Sequence, residues 1–236
     1  MHRFWRTMLA KMNLGVAFGL SLLVASLMGG VGYVLASSTS NFTLTINPGT
    51  LTIDIVDSTS SHATVASPSV AFSAATFAFA CQTPGTTGTF GTATEAIYVQ
   101  NPDAADSGWT ASLAASATTA TWTSAGTDLD FNDPTTSGCS DGGDADSVSG
   151  QMEIDTTGTT VAVGECNSCA TTSVTSTNTT ASFSEGATDS IDLFSGAAAS
   201  DDIGDWTLTG VTVDQTIPGE QPAAADYDIN MVLSVV

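Results

Sequence analysis

Oxygen ligands are concentrated in one short stretch of the sequence, between Asp128 and Gly150. Six aspartates and one asparagine, with no basic residue among them, are the candidate ligands: Asp128, Asp130, Asn132, Asp133, Asp141, Asp144 and Asp146. Hard oxygen ligands at alternating positions suit Ca²⁺. The EF-hand pattern is not complete, because Asp133 stands where the motif needs Gly and Cys139 stands where it needs Glu. The stretch therefore predicts either a calcium-binding loop, with Ca²⁺ as the one candidate cofactor, or a solvated acidic loop.

A catalytic role for these carboxylates is not indicated. The segment Gly138–Gly142 reads G-C-S-D-G, which matches the nucleophile-elbow pattern, but no histidine follows it in the sequence. A glycosidase needs two carboxylates at a set separation, and nothing marks such a pair among the 24 acidic residues. We expect no enzyme activity, and a secreted hydrolase is the one enzyme alternative left.

Four cysteines could form disulfides or bind a metal: Cys81, Cys139, Cys166 and Cys169. An even number of cysteines in an exported chain predicts two disulfides, for which three pairings exist. The C-N-S-C segment could close on itself, which would leave Cys81 and Cys139 as the second pair. Zinc binding by this CxxC is the alternative, but the sequence has no second CxxC and no downstream histidine.

The first residues have the features of a secretory signal. Arg3, Arg6 and Lys11 precede an uncharged apolar run from Leu14 to Leu35, and small residues favour cleavage after Ala36. Residues 1–36 are therefore predicted to be a signal helix, and residues 37–236 to be the mature protein at the cell surface or outside the cell. The apolar run is long enough to span a bilayer if it is not cleaved, so membrane contact is expected only through this segment.

Charge limits the partners of the mature chain. All three Lys and Arg precede residue 12 and all 24 Asp and Glu follow residue 36, so the mature chain has a formal charge of −24. Nucleic acid is excluded as a partner because no cation is present to neutralise its phosphates, and anionic lipid is excluded for the same reason. Divalent cations, basic wall components, and apolar or hydrogen-bonding surfaces are the partners that remain.

The apolar residues of the mature chain alternate with polar ones, as in half-buried strands. The clearest segments are Phe42–Ile46, Leu51–Ile55, Ile97–Val99 and Tyr227–Val235, and the first two are predicted to form a hairpin around Asn47-Pro48-Gly49. The many Thr, Ser and Gly residues disfavour helix. No linker or repeat divides residues 37–236, which predicts an all-β chain forming a single antiparallel β-sandwich of jelly-roll or immunoglobulin-like type.

Three segments, "GTLTIDIV", "VQNPDAADSGWTASL" and "DWTLTGV", resemble the WxL-type cell-wall-associated domain of bacterial surface proteins over most of residues 50–236. The resemblance implies non-covalent attachment to peptidoglycan, with Trp109, Trp206 and Leu208 as the candidate wall-binding residues. Trp206-Thr207-Leu208 matches the motif literally, whereas Ala111 replaces leucine in the first copy. The alternative interpretation is that both indoles are core residues of the sandwich.

The opening segment "NFTLTINPGTLTIDIV" is similar to the start of camelysin-like secreted filament subunits. The similarity implies that an N-terminal strand, freed by signal cleavage, completes the sheet of a neighbouring copy. The alternative is a strand that pairs within its own domain. The sequence thus predicts an exported, non-catalytic cell-surface protein. It is either a wall-associated structural or adhesive module or a homo-oligomeric filament or coat subunit.

Overall fold

The computed structural model describes residues 11, 13–24, 43–59, 61–103, 107–143, 146–198 and 202–236. The chain divides into two units, Met1–Ile46 and Asn47–Val236. In the first unit, residues 11 and 13–24 are helical. Within the described residues, no helix combines the length and hydropathy needed to cross a membrane. The predicted cleavage site after Ala36 lies outside the described residues.

The second unit is built from strands. Across the described ranges there are fifteen: β1 Thr52–Asp57, β2 Ala63–Thr64, β3 Gln82–Phe90, β4 Ala96–Asn101, β5 Trp109–Ala115, β6 Trp122–Ser124, β7 Thr127–Leu129, β8 Gln151–Asp155, β9 Thr160–Val163, β10 Val174–Ser176, β11 Thr180–Ser182, β12 Ser190–Gly196, β13 Gly204–Thr209, β14 Val211–Ile217 and β15 Met231–Val235. Every pairing between them is antiparallel. The predicted all-β class is therefore confirmed.

The strands form three main sheets and one ribbon. Sheet A has the order β2-β1-β4-β13-β9, sheet B the order β11-β8-β14-β3, and sheet C the order β10-β12-β5-β15. Strands β6 and β7 form the two-stranded ribbon. Most neighbours in a sheet are distant in sequence, so the fold depends on long-range pairing rather than on a series of hairpins.

Sheets A and B share a continuous chain. Strands β13 and β14 are separated only by Gly210, and the chain passes at this residue from sheet A into sheet B. Gly210 has a φ of 84°, a left-handed conformation that glycine adopts without steric cost. The change in hydrophobic phase at this glycine, which predicts a bulge, thus corresponds to a change of sheet.

One hydrophobic cluster takes side chains from all three sheets. Ile97 and Val99 of sheet A, Leu113 of sheet C and Ile154 and Val213 of sheet B belong to it. Their alternation along each strand places one face of every sheet against this cluster, as the two-residue period of a strand requires. The second unit therefore has a single core, to which each sheet contributes.

The predicted hairpin of Phe42–Ile46 with Leu51–Ile55 is wrong. Residues 43–51 form no strand, and Phe42 lies outside the described residues. Strand β1 pairs instead with β2 and β4. Leu44 and Ile46 remain 86% and 84% exposed. Alternation predicts that a segment can form a strand, but it does not show that a partner edge is free. Strand β2 occupies part of the edge of β1 with which this segment would pair.

Candidate functional site

The acidic stretch folds as a series of turns between β7 and β8, and its central carboxylate holds the turns together. Asp133 is 1% exposed, and both of its oxygens accept backbone hydrogen bonds. Oδ1 accepts from the N–H of Thr135 at 2.8 Å, and Oδ2 accepts from the N–H of Gly142 at 2.9 Å. Asp133 therefore links the start of the loop to a point nine residues further along the chain.

Three of the other candidate ligands make local contacts of the kind that stabilise turns. Asp130, Asp141 and Asp146 each accept a hydrogen bond from a backbone N–H one or two residues further on, at 2.7 to 3.1 Å. Asn132 donates from Nδ2 to the carbonyl oxygen of Thr118 at 3.0 Å. Asp128 lies exposed on β7, and Asp144 lies outside the described residues.

The described carboxylates of the acidic stretch do not form a cluster. Where the chain is described, no three carboxylates of the acidic stretch lie within ligating distance of one another. In this arrangement Asp130, Asp133, Asp141 and Asp146 accept hydrogen bonds from backbone N–H groups. Asp130 and Asp133 are buried, so the loop is only partly solvated. The calcium site predicted from the seven candidate ligands stays a prediction.

Removing Ca²⁺ tests that prediction directly. We expect EGTA to leave the Tm of the mature protein unchanged, because four of the described carboxylates already accept hydrogen bonds from the backbone. A bound ion would stabilise the folded state by mass action. A Tm that falls by several degrees in EGTA, and recovers on adding Ca²⁺, would therefore show that the loop holds an ion.

Replacing Asp133 with asparagine tests its structural role. An amide keeps one oxygen acceptor but presents an NH₂ group to the second N–H donor, so we expect Asp133→Asn to lower the free energy of unfolding by about 1–3 kcal/mol. Asp141→Asn is the matched control, because Asp141 is exposed and accepts a single local bond. Its cost should stay within about 0.5 kcal/mol. Equal costs in urea unfolding would contradict this role for Asp133.

The candidate wall-binding residues lie inside the core. Trp109 is 3% exposed, and Trp206 and Leu208 are fully buried. The two indole rings have their centroids 5.8 Å apart, and the Nε1–H of Trp206 donates to the carbonyl oxygen of Ala170 at 3.0 Å. In this conformation neither indole can contact an external ligand. The burial supports the core interpretation of these residues, and their role in wall binding stays a prediction.

Both expected disulfides are present. Cys81 is bonded to Cys139 and Cys166 to Cys169, with a Cα–Cα distance of 5.6 Å in each pair. This is the pairing expected if the CxxC segment closes on itself. Because disulfides form and persist in oxidising compartments, the two bonds indicate that the protein folds in such an environment.

A buried carboxylate lies beside the Cys166–Cys169 disulfide. Asp205, on β13, is 5% exposed. Its Oδ2 accepts hydrogen bonds from the O–H of Tyr98 at 2.7 Å and from the N–H of Glu165 at 2.6 Å, and its Oδ1 accepts from the N–H of Cys166 at 2.8 Å. Ligand atoms of Asp205 and of both cysteines lie within 4.8 Å of one another. The carboxylate thus holds the start of the cysteine loop against sheet A.

Tyr98 binds this carboxylate, and His62 lies next to Tyr98. Burial raises the pKa of the Tyr98 phenol well above its usual value, and the hydrogen bond to Asp205 and the nearby negative charges add to the effect. The phenol therefore remains a hydrogen-bond donor at physiological pH. The ring of His62 lies 5.2 Å from that of Tyr98, and its Nδ1 lies 3.8 Å from Oε1 of Glu165.

The sequence shows the two cysteines of this cluster but not the residues around them. The available signal is Asp205 itself, a charged residue within the otherwise uncharged strand "GDWTLT". Charged side chains are almost never buried unless they are paired. Such a residue directly before a core tryptophan therefore indicates a buried hydrogen-bonding cluster, although not its partners.

A second feature is an apolar groove between sheets A and C. Its volume is about 470 Å³, and its wall includes Ile53 and Ile55 of β1 and Met231 and Leu233 of β15. Further apolar side chains line its floor, among them those of Phe72, Phe90, Trp122, Met152 and Val213. Acidic residues at the groove are Asp54, Glu95 and Asp228. The groove is thus apolar inside, with negative charges among its lining residues.

One wall of this groove is an edge strand. Among the described strands, β15 pairs only with β5. Val236 of the edge and Thr110 exchange two backbone hydrogen bonds, at 2.8 and 3.1 Å. In an antiparallel pair, residues bonded in this way alternate with residues whose backbone N–H and C=O groups point away from the partner strand. The backbone N–H and C=O groups of Met231, Leu233 and Val235 therefore face outward, where another strand can bind them.

Comparisons with protein-family models, with curated proteins and with solved structures find no match for this chain. The resemblances to WxL-type domains and to camelysin-like subunits therefore stay predictions. A functional assignment depends on the geometry described above, and above all on the groove, the edge of β15 and the exposed segment before β1.

Proposed function

We propose that the chain is an exported, non-catalytic structural protein whose copies assemble into a filament or coat by strand addition. In this proposal the second unit is a β-sandwich with an incomplete edge, and residues 37–46 of one copy add to strand β15 of the next. The observation that carries the proposal is the combination of an exposed apolar segment with an open apolar groove in the same chain. The segment needs a partner strand and an apolar surface, and the groove beside β15 offers both.

The donor segment has the pattern of a half-buried strand. Phe42, Leu44 and Ile46 alternate with polar residues. The described members of this series, Leu44 and Ile46, are 86% and 84% exposed. Large apolar side chains left exposed side by side in a soluble chain indicate a surface that a partner covers. An extended segment of this kind can place one row of side chains in a groove and leave the other row in water.

The acceptor provides both kinds of contact that strand addition uses. The outward backbone groups of β15 supply hydrogen-bond partners along an edge, which gives affinity. The groove beside it supplies an apolar surface for alternate side chains, which gives register. Met231 and Leu233 contribute to both, because their backbone lies on the open edge and their side chains line the groove.

The absence of charged side chains allows this segment to dock. Copies of a chain with 24 acidic residues and no Lys or Arg after residue 11 repel one another. Residues 37–53 contain no charged side chain. They can therefore approach Asp54, Glu95 and Asp228 at the groove without like-charge repulsion. Salt screens the repulsion between the remaining surfaces, so assembly should strengthen as ionic strength rises.

Electron microscopy of the mature protein tests the proposal. Residues 37–236 should form ordered polymers in negative stain at high protein concentration and high salt. Deletion of residues 37–46 should leave monomers that retain the circular dichroism of a β-rich fold. A mature protein that remains monomeric at every concentration and salt level would overturn the proposed function.

A further inference from the structure

The Cys166–Cys169 loop contains a donor set that the assembly function does not use. The two sulfurs and a carboxylate oxygen of Asp205 lie within 4.8 Å of one another, on the loop after β9 and on β13. Two thiolates with one carboxylate are a donor set that suits zinc and related divalent ions. No third ligand for the CxxC is apparent from the sequence, whereas the fold places Asp205 of strand β13 beside it.

The site is built around these atoms and does not depend on exposed side chains alone. Three hydrogen bonds fix the Asp205 carboxylate, which is 5% exposed. A Cβ at Gly164 would lie 2.2 Å from Oδ2 of Asp205, and a Cβ at Gly204 would lie 2.2 Å from Sγ of Cys169. Two glycines thus leave the space that the carboxylate and the sulfur occupy. Hydrogen bonds that orient a ligand in this way raise its affinity for a metal.

The charge around the sulfurs favours a cation. No Lys or Arg follows residue 11, so a reduced cysteine pair beside Asp205 has no such side chain to neutralise it. Glu165 adds a further carboxylate next to the loop, and Nδ1 of His62 lies 3.8 Å from its Oε1. A divalent cation bound to both sulfurs and to Asp205 would offset this negative charge.

We propose that reduction of the Cys166–Cys169 disulfide converts this loop into a binding site for one zinc-like divalent cation, with Cys166, Cys169 and Asp205 as ligands. An external dithiol supplies two electrons and two protons. The S–S bond breaks into two thiols, and the dithiol closes into its own disulfide. The cation then displaces both thiol protons to solvent. Three protein ligands leave the fourth position of a tetrahedral zinc site for water.

Cobalt titration of the full mature chain tests this site, with Co²⁺ as the spectroscopic probe. The protein is reduced with a dithiol, freed of it by gel filtration without oxygen, and titrated. We expect a sulfur-to-cobalt charge-transfer band that saturates at about one ion per chain and is lost when Zn²⁺ displaces Co²⁺. The oxidised protein should show no band.

Matched variants separate this site from the other cysteine pair. The variant with Cys81→Ser and Cys139→Ser should keep the band, and the variant with Cys166→Ser and Cys169→Ser should lose it. Asp205→Asn should weaken cobalt binding by about tenfold or more. Circular dichroism checks that each variant is folded, and the two cysteine-pair variants decide the result if Asp205→Asn does not fold.

Three results would overturn the proposal. The first is a band that persists without Cys166 and Cys169, and the second is a band that disappears without Cys81 and Cys139. The third is unchanged cobalt affinity in a folded Asp205→Asn variant. None of them bears on polymer formation, which is measured on the oxidised protein. The proposed function can therefore fail while this site is found, and the reverse also holds.

Discussion

Mature protein that carries Leu44→Asp and Ile46→Asp should remain monomeric at concentrations where the wild type forms polymers. In strand addition both side chains leave water and enter the groove of the next copy. Full burial of a Leu or Ile side chain contributes about 1.5–3 kcal/mol. Loss of both removes about 3–6 kcal/mol, which corresponds to association weakened by about 10² to 10⁴-fold. Analytical ultracentrifugation and negative-stain microscopy measure the change.

The control for this variant changes the same charge on the opposite face of the segment. Thr43 and Thr45 alternate with Leu44 and Ile46, so in an added strand they face solvent. Thr43→Asp with Thr45→Asp should still form polymers at high salt, where the added charges are screened. If the two double variants assemble equally well, or fail equally, alternation does not govern the contact and strand addition is contradicted.

Trp206→Ala should cause one of the largest losses of stability of any single substitution in the core. Trp206 is fully buried on β13, pairs with Val99 of β4 and contacts the ring of Trp109. Truncating a buried tryptophan to alanine lowers the free energy of unfolding by about 3–5 kcal/mol, because apolar burial is lost and a cavity remains. Urea unfolding measures the change. A surface tryptophan that binds the wall would instead be replaced with little loss of stability.

A pair of phenylalanine substitutions separates packing from hydrogen bonding in the same core. Trp206 donates its Nε1–H to Ala170, whereas Nε1 of Trp109 has no acceptor among the described residues. Trp206→Phe leaves the carbonyl of Ala170 without that donor, so it should cost about 1 kcal/mol more than Trp109→Phe. Equal costs for the two would show that the hydrogen bond to Ala170 does not stabilise the fold.

The strands that the sequence predicts best are those with unbroken alternation. Ile97 and Val99 lie on β4 and face the core, and Met231–Val235 form β15, because a two-residue period is a local signal that survives in any β fold. The predicted last strand also includes Tyr227, but the structure places this residue in a loop. There its O–H donates to the carbonyl of Pro222 at 2.8 Å, so a local contact replaces the pairing.

Long-range contacts are what the sequence does not show. The pairing of β15 with β5, which leaves one edge open beside β1, depends on how the three sheets share one core. Asp205 reaches Cys166 in the same way, across residues that are distant in the chain. Local periodicity carries no information on such partners. It therefore predicts strand character for residues 42–46 without indicating which edge they would pair with.

Directed disulfide cross-linking tests strand addition to β15 most directly. All four native cysteines are in disulfides, so one added cysteine is a unique thiol. Copies that carry Thr45→Cys are mixed with copies that carry Val232→Cys, an exposed position on β15. The control partner carries Thr180→Cys, an exposed position on the edge strand β11.

We expect the first mixture to form a covalent heterodimer rapidly on mild oxidation, because both thiols lie on the solvent face of the joined strands. The mixture with Thr180→Cys should form little. Cross-linking that is absent from the first mixture, or equal in the two, would contradict the addition of residues 37–46 to strand β15.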